Sequence, residues 1–402
     1  MECPLGDVLA ELKNGLNCKQ DKSGRGDRIS RIESVSDGKF DDARVGYATL
    51  TDAERKRYRL KIGDILFSHI NSPPHVGKTA IFESDTPIYH GVNLLLMRPI
   101  ADVDSKFLFY FLVSLRATGY WAENCKKSVN QASVNQKDIA RVAFKYPRAI
   151  TEQRRIVAVL DEAFGAIVTA TINAKKNLAN AQKLFAAELE IQMDGTERGW
   201  DRKPLGELGK TVTGSTPKTT ERSNYGNFMP FIKPGDFNQD GSLNYENEGL
   251  SEGGAAASRH IAAGSALMVC IGSIGKSAYV DKTIAANQQI NALIPNPNLN
   301  GKFIYYQFLT AAFQRSVFNQ CGQTTLPIIN KSRWSELLAW APALDEQQRI
   351  VERLDVMMQL RRQLEATYRR KIELLVGLKH SILRRALTGE LTAITELESI
   401  AA

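Results

Sequence analysis

The chain is poor in the residues that build catalytic and metal centres. Among 402 residues there are five cysteines and five histidines. Cys3, Cys18, Cys125, Cys270 and Cys321 are an odd count with no Cys-x-x-Cys pair. That argues against a disulfide frame or a zinc site and fits reduced, buried thiols in a cytoplasmic protein. His69 and His75 are the closest histidine pair and match no metal-binding spacing; His90, His260 and His380 stand apart. There is no Gly-x-Ser-x-Gly, no glycine-rich dinucleotide fingerprint and no recognisable carboxylate pair. No 18-residue apolar run suggests a membrane span, and Met1-Glu-Cys-Pro-Leu-Gly6 lacks the basic and apolar parts of an export signal. A catalytic centre, a bound metal and a membrane span are therefore not expected.

What is present is repetition. Glu152-Gln-Arg-Arg-Ile-Val-Ala-Val-Leu-Asp161 returns as Glu346-Gln-Gln-Arg-Ile-Val-Glu-Arg-Leu-Asp355, identical at seven of ten positions. Pro4-Leu-Gly-Asp7 is echoed by Pro204-Leu-Gly-Glu207, Gly77-Lys-Thr-Ala80 by Gly275-Lys-Ser-Ala278, and Lys106-Phe-Leu-Phe-Tyr110 by Lys302-Phe-Ile-Tyr-Tyr306. A period near 200 residues is too long for a solenoid and marks duplication of a globular domain with its helix. Each Glu-Gln copy opens a narrow apolar stripe of helical period. The first runs through Ile156, Leu160, Ala163, Ile167, Ala170, Ala174, Leu178, Ala181, Phe185 and Leu189. The second runs through Ile350, Leu354, Met357, Leu360, Leu364, Tyr368, Ile372, Leu375, Leu378 and Ile382. Such a stripe is the mark of a coiled-coil seam, and roughly 40 helical residues span about 60 Å. The stretches before each helix read as short strands and turns, with buried helices at Phe107–Leu115 and Phe303–Phe313.

The expected fold is α+β: two tandem mixed domains, each followed by a long helix, the helices pairing as an antiparallel coiled coil with pseudo-two-fold symmetry. The expected division is 1–150, 151–195 (helix), 196–342, 343–391 (helix) and a tail, 392–402.

The chain carries a formal net charge of +8, with an excess of five positive charges in 1–150 and three in 201–342, and near balance in the helices. The two non-helical domains are thus the better candidates for meeting a polyanion. Gly-Lys-Thr/Ser is the tail of a phosphate loop, but Ser72 and Cys270 stand where that loop needs glycine, and strand-like residues follow instead of a helix. A tight turn between strands accounts for it, and nucleotide binding is rejected. The remaining chemistry is in paired polar loops. Lys126–Asn135 answers Cys321–Lys331, and Gln20–Arg28 answers Thr213–Arg222. From these loops and the lysine turns, the candidates for DNA contact are Arg25, Arg28, Lys78, Lys126, Lys127, Asn130 and Gln131 in the first domain. In the second they are Ser215, Thr216, Lys218, Lys233, Lys276, Gln323, Thr324 and Lys331. Arg, Lys, Asn and Gln read base edges, and hydroxyls hold phosphates, though an ordinary solvated loop accounts for any one of them alone.

The duplicated Glu-Gln-x-Arg-Ile-Val-x-x-Leu-Asp openers, with Ser381-Ile-Leu-Arg-Arg-Ala-Leu-Thr-Gly-Glu-Leu391 near the end, resemble the specificity subunits of type I restriction-modification enzymes over nearly the whole chain. The resemblance implies a non-enzymatic DNA-recognition subunit whose two domains each read half of a split, asymmetric target, with the helices as a ruler between them. It implies two methyltransferase subunits as partners and, through them, restriction/motor subunits. S-adenosylmethionine, ATP and Mg would belong to those partners and no cofactor to this chain. Ile156, Leu160, Ile167, Leu178, Phe185, Ile350, Leu354, Leu364, Ile372 and Leu375 are the expected helix–helix or partner interface. Base contacts do not carry over from the family residue by residue. A stand-alone DNA-binding regulator, a structural adaptor and the specificity module of another DNA-modifying complex are the alternatives.

Overall fold

The computed structural model describes all residues except Ser23, Asp37, Gln239, 322–326 and 391–402. The chain forms two compact units, Met1–Asn173 with Lys371 onward, and Ala174–Arg370. The long helices, Ile150–Met193 and Leu344–Leu387, each contribute to both.

In the first unit the main sheet has the strand order Leu9–Asn14, Leu95–Pro99, Ile65–Phe67, Thr79–Ile81, Lys39–Phe40, Val35–Ser36. In the second, Gly209–Thr213, Ile290–Pro295, Ala266–Val269 and Ser277–Tyr279 follow the same order. The register repeats as well. Asn14, Leu95, Phe67 and Thr79 lie side by side in one sheet, and Thr213, Asn291, Met268 and Ser277 in the other. Among the described strands pairing is antiparallel except where Lys39 meets Ile81 and where Phe231 and Ile232 meet Ala285 and Ala286; isolated parallel bridges join Leu16 to Gly91 and Ile29 to Tyr89. The Gly-Lys turns lead directly into strands, and the hydroxyls of Thr79 and Ser277 donate back to Gly77 and Gly275 carbonyls, each at 3.0 Å. Their hydroxyls close turns, which is why no helix follows to hold an anion.

Each sheet packs against an aromatic helix. Ser105–Ala117 buries Phe107, Leu108 and Leu112; Gly301–Leu309 buries Phe303, Ile304 and Phe308. The sequence run to Phe313 divides into two helices because Thr310 adopts an extended backbone (φ −67°, ψ 144°) and caps the next helix, its hydroxyl accepting from the Phe313 N–H.

The repeated ten residues dock each long helix onto its own sheet domain. Gln153 is fully buried: its Oε1 accepts from the Asp104 N–H at 2.8 Å, and its amide donates to the carbonyls of Asp102 and Pro147 at 3.0 and 2.9 Å. Gln347 does the same with the Asn300 N–H and the carbonyls of Asn298 and Pro342. Two turns along, Asp355 accepts from Tyr306 Oη and Lys302 Nζ, both at 2.7 Å. Asp161 accepts likewise from Tyr110 and Lys106. Burial, then the adjoining carboxylate, raises the pKa of both tyrosines, so the phenols stay protonated donors. Between glutamine and aspartate, Ile156, Val157 and Leu160 join the core around Phe107 and Phe144, and Ile350, Val351 and Leu354 the core around Phe303 and Trp334. Each such side chain contributes about 1.5–3 kcal/mol. Glutamine cannot be replaced by an apolar residue here, because three backbone groups depend on it.

Beyond the docking motif, the first long helix buries Leu160, Ile167, Ala174 and Ala181 at seven-residue intervals, with Phe185 and Leu189 following; Leu178 is half-buried. The second buries Leu354, Met358 and Glu365, then half-buries Tyr368, Ile372 and Leu375. In the first unit Leu383 and Ala386 join the same core as Ile156 and Leu160, and Lys379 Nζ lies 5.0 Å from the Phe164 ring centre. In the second, Arg361 sits over Phe185 and Arg353 pairs with Glu188 at 2.6 Å, so the helices run antiparallel there. Leu360, Leu364 and Leu378, counted on the apolar stripe in the sequence, point away from it and are 43–49% exposed. A seven-residue phase set by Val351, Met358 and Glu365 occupies the buried side instead.

By length and composition the first long helix is also apolar enough to cross a membrane, contrary to the sequence expectation. Part of that apolar surface is the buried stripe just described, and one such helix is weak ground for a span.

Replacing Gln347 by Ala leaves the part-buried Asn300 N–H and two carbonyls without their partner, and should cost about 2–4 kcal/mol. Urea denaturation of the variant checks this. An unchanged midpoint would mean that the amide does not hold the helix.

Candidate nucleic-acid interface

In the first unit, Lys126–Ser128 and Gln131–Ser133 form a β-hairpin, extended by a third strand at Ile70–Asn71. Its turn is Val129–Asn130, and Ser128 Oγ donates to the Gln131 carbonyl at 3.2 Å. Lys126, Lys127, Asn130 and Gln131 are all exposed, and residues 126–133 contain no carboxylate. The Ile70–Asn71 strand leads into the turn that holds half-buried Lys78, so the structure joins five predicted residues through one small sheet. Val129 at the tip is 98% exposed. Sequence reasoning passed over it because it is a single apolar residue within a polar run.

The Gln20–Arg28 segment is a separate feature. Arg25 is exposed, but Arg28 lies on the Asp27–Ile29 strand and gives its guanidinium to Asp42, 3.5 Å from the carboxylate. Arg28 is therefore engaged within the domain. Asp27 beside it is held below the usual carboxylate range by hydrogen bonds from Arg55, at 3.0 Å to each oxygen.

In the second unit, the turn holding Lys276 is linked to the segment before Lys331. Ile271 bridges Ile328, and the Gly272 N–H donates to the Pro327 carbonyl at 3.1 Å. Lys276 and Lys331 are exposed, and Lys331 opens a short helix capped by Asn330. Gln323 and Thr324 lie outside the described residues. Lys218 is well exposed and pairs loosely with Glu221 at 3.2 Å. Ser215 Oγ accepts from the Arg259 N–H at 2.9 Å, Thr216 donates to Gln288, and Lys233 pairs with Glu248. These three are occupied by internal partners that the sequence did not reveal. Two further residues of this unit stand out in solvent. Arg259 is exposed and donates to the Thr213 carbonyl, and Phe228 stands 60% exposed in a bulge between Tyr225 and Met229. Arg259 lies 44 residues from Ser215, which is why loop reading did not find it.

No group of three or more His, Cys, Asp or Glu that could hold a metal is found among the described residues. Burial pushes His90 down to about 4, with its Nε2 3.0 Å from the Leu94 carbonyl, and pushes the Cys270 thiol up to about 12. Both are neutral core residues.

Two sheet domains of one topology, each docked on a long helix and each presenting a different cationic loop surface, define a duplicated recognition protein. The family model for the type I restriction modification DNA specificity domain matches residues 5–179 and again 197–374, and the chain belongs to that family. It is 32% identical over 247 residues to a Methanocaldococcus jannaschii protein assigned as the MjaX type I restriction enzyme specificity subunit, covering 57% of each chain. It is 27% identical over 180 residues to the EcoKI specificity subunit of Escherichia coli K12, covering 44% of this chain and 39% of that one. The matched stretch is thus about half the length of such relatives. Among solved structures, a chain from a study of complex assembly and conformational transition of the type I R-M system superposes with TM-score 0.74 at 18% identity, covering 96% of this chain and 97% of that one. The HsdS subunit of Thermoanaerobacter tengcongensis gives 0.61 at 18% identity, covering 97% and 96%. At that identity the likeness concerns the fold.

Proposed function

We propose that this chain is the specificity subunit of a type I restriction-modification complex, a DNA-binding component without catalytic activity of its own. One observation carries the reading. The sheet register and the Gln/Asp docking motif occur twice almost unchanged, while the loops at corresponding places differ in chemistry. A duplicated frame with divergent loops is what reading two different half-sites requires. Residues 1–150 and 196–342 are the recognition domains, and Ile150–Met193 and Leu344–Leu387 the spacer helices, pairing antiparallel along their length with pseudo-two-fold symmetry. A gap of about one helical turn puts both domains on one face of the duplex.

Within the first domain, Lys126 and Lys127 would neutralise phosphates and Asn130 and Gln131 read base edges, with Arg25 and Lys78 alongside. Within the second, Lys218, Lys276, Gln323, Thr324 and Lys331 do this work, and Ser215, Thr216 and Lys233 shape the surface around them. Exposed Val168, Ile172, Leu184 and Ile191 on the first long helix, and Val356, Leu360 and Leu364 on the second, suit docking of two methyltransferase subunits. Those partners, in the cytoplasm, would bind S-adenosylmethionine and recruit the ATP- and Mg-dependent restriction subunits.

Co-expression with the neighbouring methyltransferase gene, followed by modified-base sequencing of host DNA, tests the proposal. The expected result is a split, asymmetric motif with methyladenine in both halves. Failure to form a complex, with no new methylation, favours a stand-alone DNA-binding protein. Replacing Lys126 and Lys127 together by Ala should weaken binding across all sequences and flatten the slope of log K against log salt by about 1.8. Fluorescence anisotropy at several salt concentrations measures it, and an unaltered slope would remove the hairpin from the phosphate contacts.

A further inference from the structure

The second unit contains a charged knot that the proposed DNA contacts do not use. The turn carrying Asn238, Asp240, Gly241 and Ser242 is closed on itself. The Asn238 N–H donates to the Ser242 carbonyl at 2.9 Å, and Ser242 donates its N–H and its hydroxyl to Asp240 Oδ1 at 3.0 and 2.6 Å. The second long helix then grips this turn. Arg361 and Arg362 both donate to the Asp240 carbonyl oxygen, at 3.1 and 3.0 Å, and Arg362 lies 3.4 Å from its carboxylate.

Arg361 is itself held in place. Its guanidinium carbon is 4.7 Å from the centre of the Phe185 ring, and it stands 3.6 Å from Glu365, whose side chain is 12% exposed. The turn also rests on buried Tyr305. Gly241 has φ +82°, and a Cβ there would come 2.3 Å from the Tyr305 hydroxyl, so both conformation and space demand glycine. Charge-assisted hydrogen bonds in this half-buried setting make a stiff joint between a domain loop and the helix.

The first unit has the same framework without the knot. Counting from Asp161, which corresponds to Asp355, the places of Arg361 and Arg362 fall to Ile167 and Val168. Gly38, with φ +80°, faces Phe109 where Gly241 faces Tyr305. There Gly38, Phe109 and Val168 line an open cleft of about 930 Å³. The fold and the docking motif are shared, and the fastening is particular to the second half.

We infer that Asp240, Arg361 and Arg362 form a latch that fixes the angle of the second recognition domain on its spacer helix, and through it the number of base pairs allowed between the half-sites. The inference rests on the specificity reading above. Each added base pair moves a half-site by about 3.4 Å and turns it by roughly 35° about the duplex axis. A domain that cannot pivot meets one spacing; a domain freed of its latch can follow a neighbouring one.

The test uses the full chain assembled with its methyltransferase subunits. The DNA carries both half-sites at the native spacing and at one base pair more or less. Arg362→Glu reverses a partly exposed charge and faces the Asp240 carboxylate with a like charge. Gly241→Ala disturbs the same turn from its other side. Both variants should lower the preference for the native spacing by about tenfold or more while methylation at the native spacing changes little. Circular dichroism confirms that they are folded. Folded variants that keep the wild-type spacing preference would overturn the latch. A wild-type complex that methylates no split duplex at any spacing would overturn the specificity reading itself, and the latch with it.

Discussion

A buried glutamine amide at the start of each long helix is the constraint on which the rest depends. Gln153 and Gln347 are buried themselves and each satisfies one N–H and two carbonyls of the loops beside it. Leaving such groups unpaired costs more than their bonds contribute, so the start of the helix is pinned to its sheet domain. The aspartate two turns later, bonded to a tyrosine and a lysine of the packed helix, adds a second fixed point near the helix start. The apolar residues between these polar points supply most of the binding energy, and the polar points supply the register.

That division of labour explains how one frame can carry two different loop surfaces. The loops that carry the candidate contacts can change without disturbing the docking motif, because its partners are the backbone of Asp102, Asp104, Pro147, Asn298, Asn300 and Pro342. The first unit presents a hairpin with two lysines and two amides; the second presents a lysine turn linked to the segment before a capped helix start. The same frame also differs in stiffness between the halves. Where Val168 lines a cleft, Arg361 and Arg362 close on Asp240.

The duplication, the long helices and the Gly-Lys turns were legible in the sequence because they rest on local periodicity and on repeated words. Ile156, Leu160, Ile350 and Leu354 are buried as their spacing implies. The helix phase was legible only near its anchor. Intervals of three and four leave two ways to continue a stripe, and the charged residues Arg361 and Glu365 took the inner side where Leu360 and Leu364 were counted. Loop residues were the least legible, since their roles depend on partners far away in the chain. Arg28 is taken by Asp42, Lys233 by Glu248 and Ser215 by Arg259, pairings that no local pattern encodes. Lys126 and Lys127 stayed exposed on the edge strand of a small three-stranded sheet, with Asn130 in its hairpin turn and Gln131 opening the next strand.

The central claim, that two domains on paired helices read two separated half-sites, is tested most directly by a hydroxyl-radical footprint of the assembled complex on its own methylated motif. The account predicts two short protected segments on one face of the duplex, separated by a gap of about 10 base pairs in which cleavage continues. Protection of a single half, or one unbroken protected block, would contradict it.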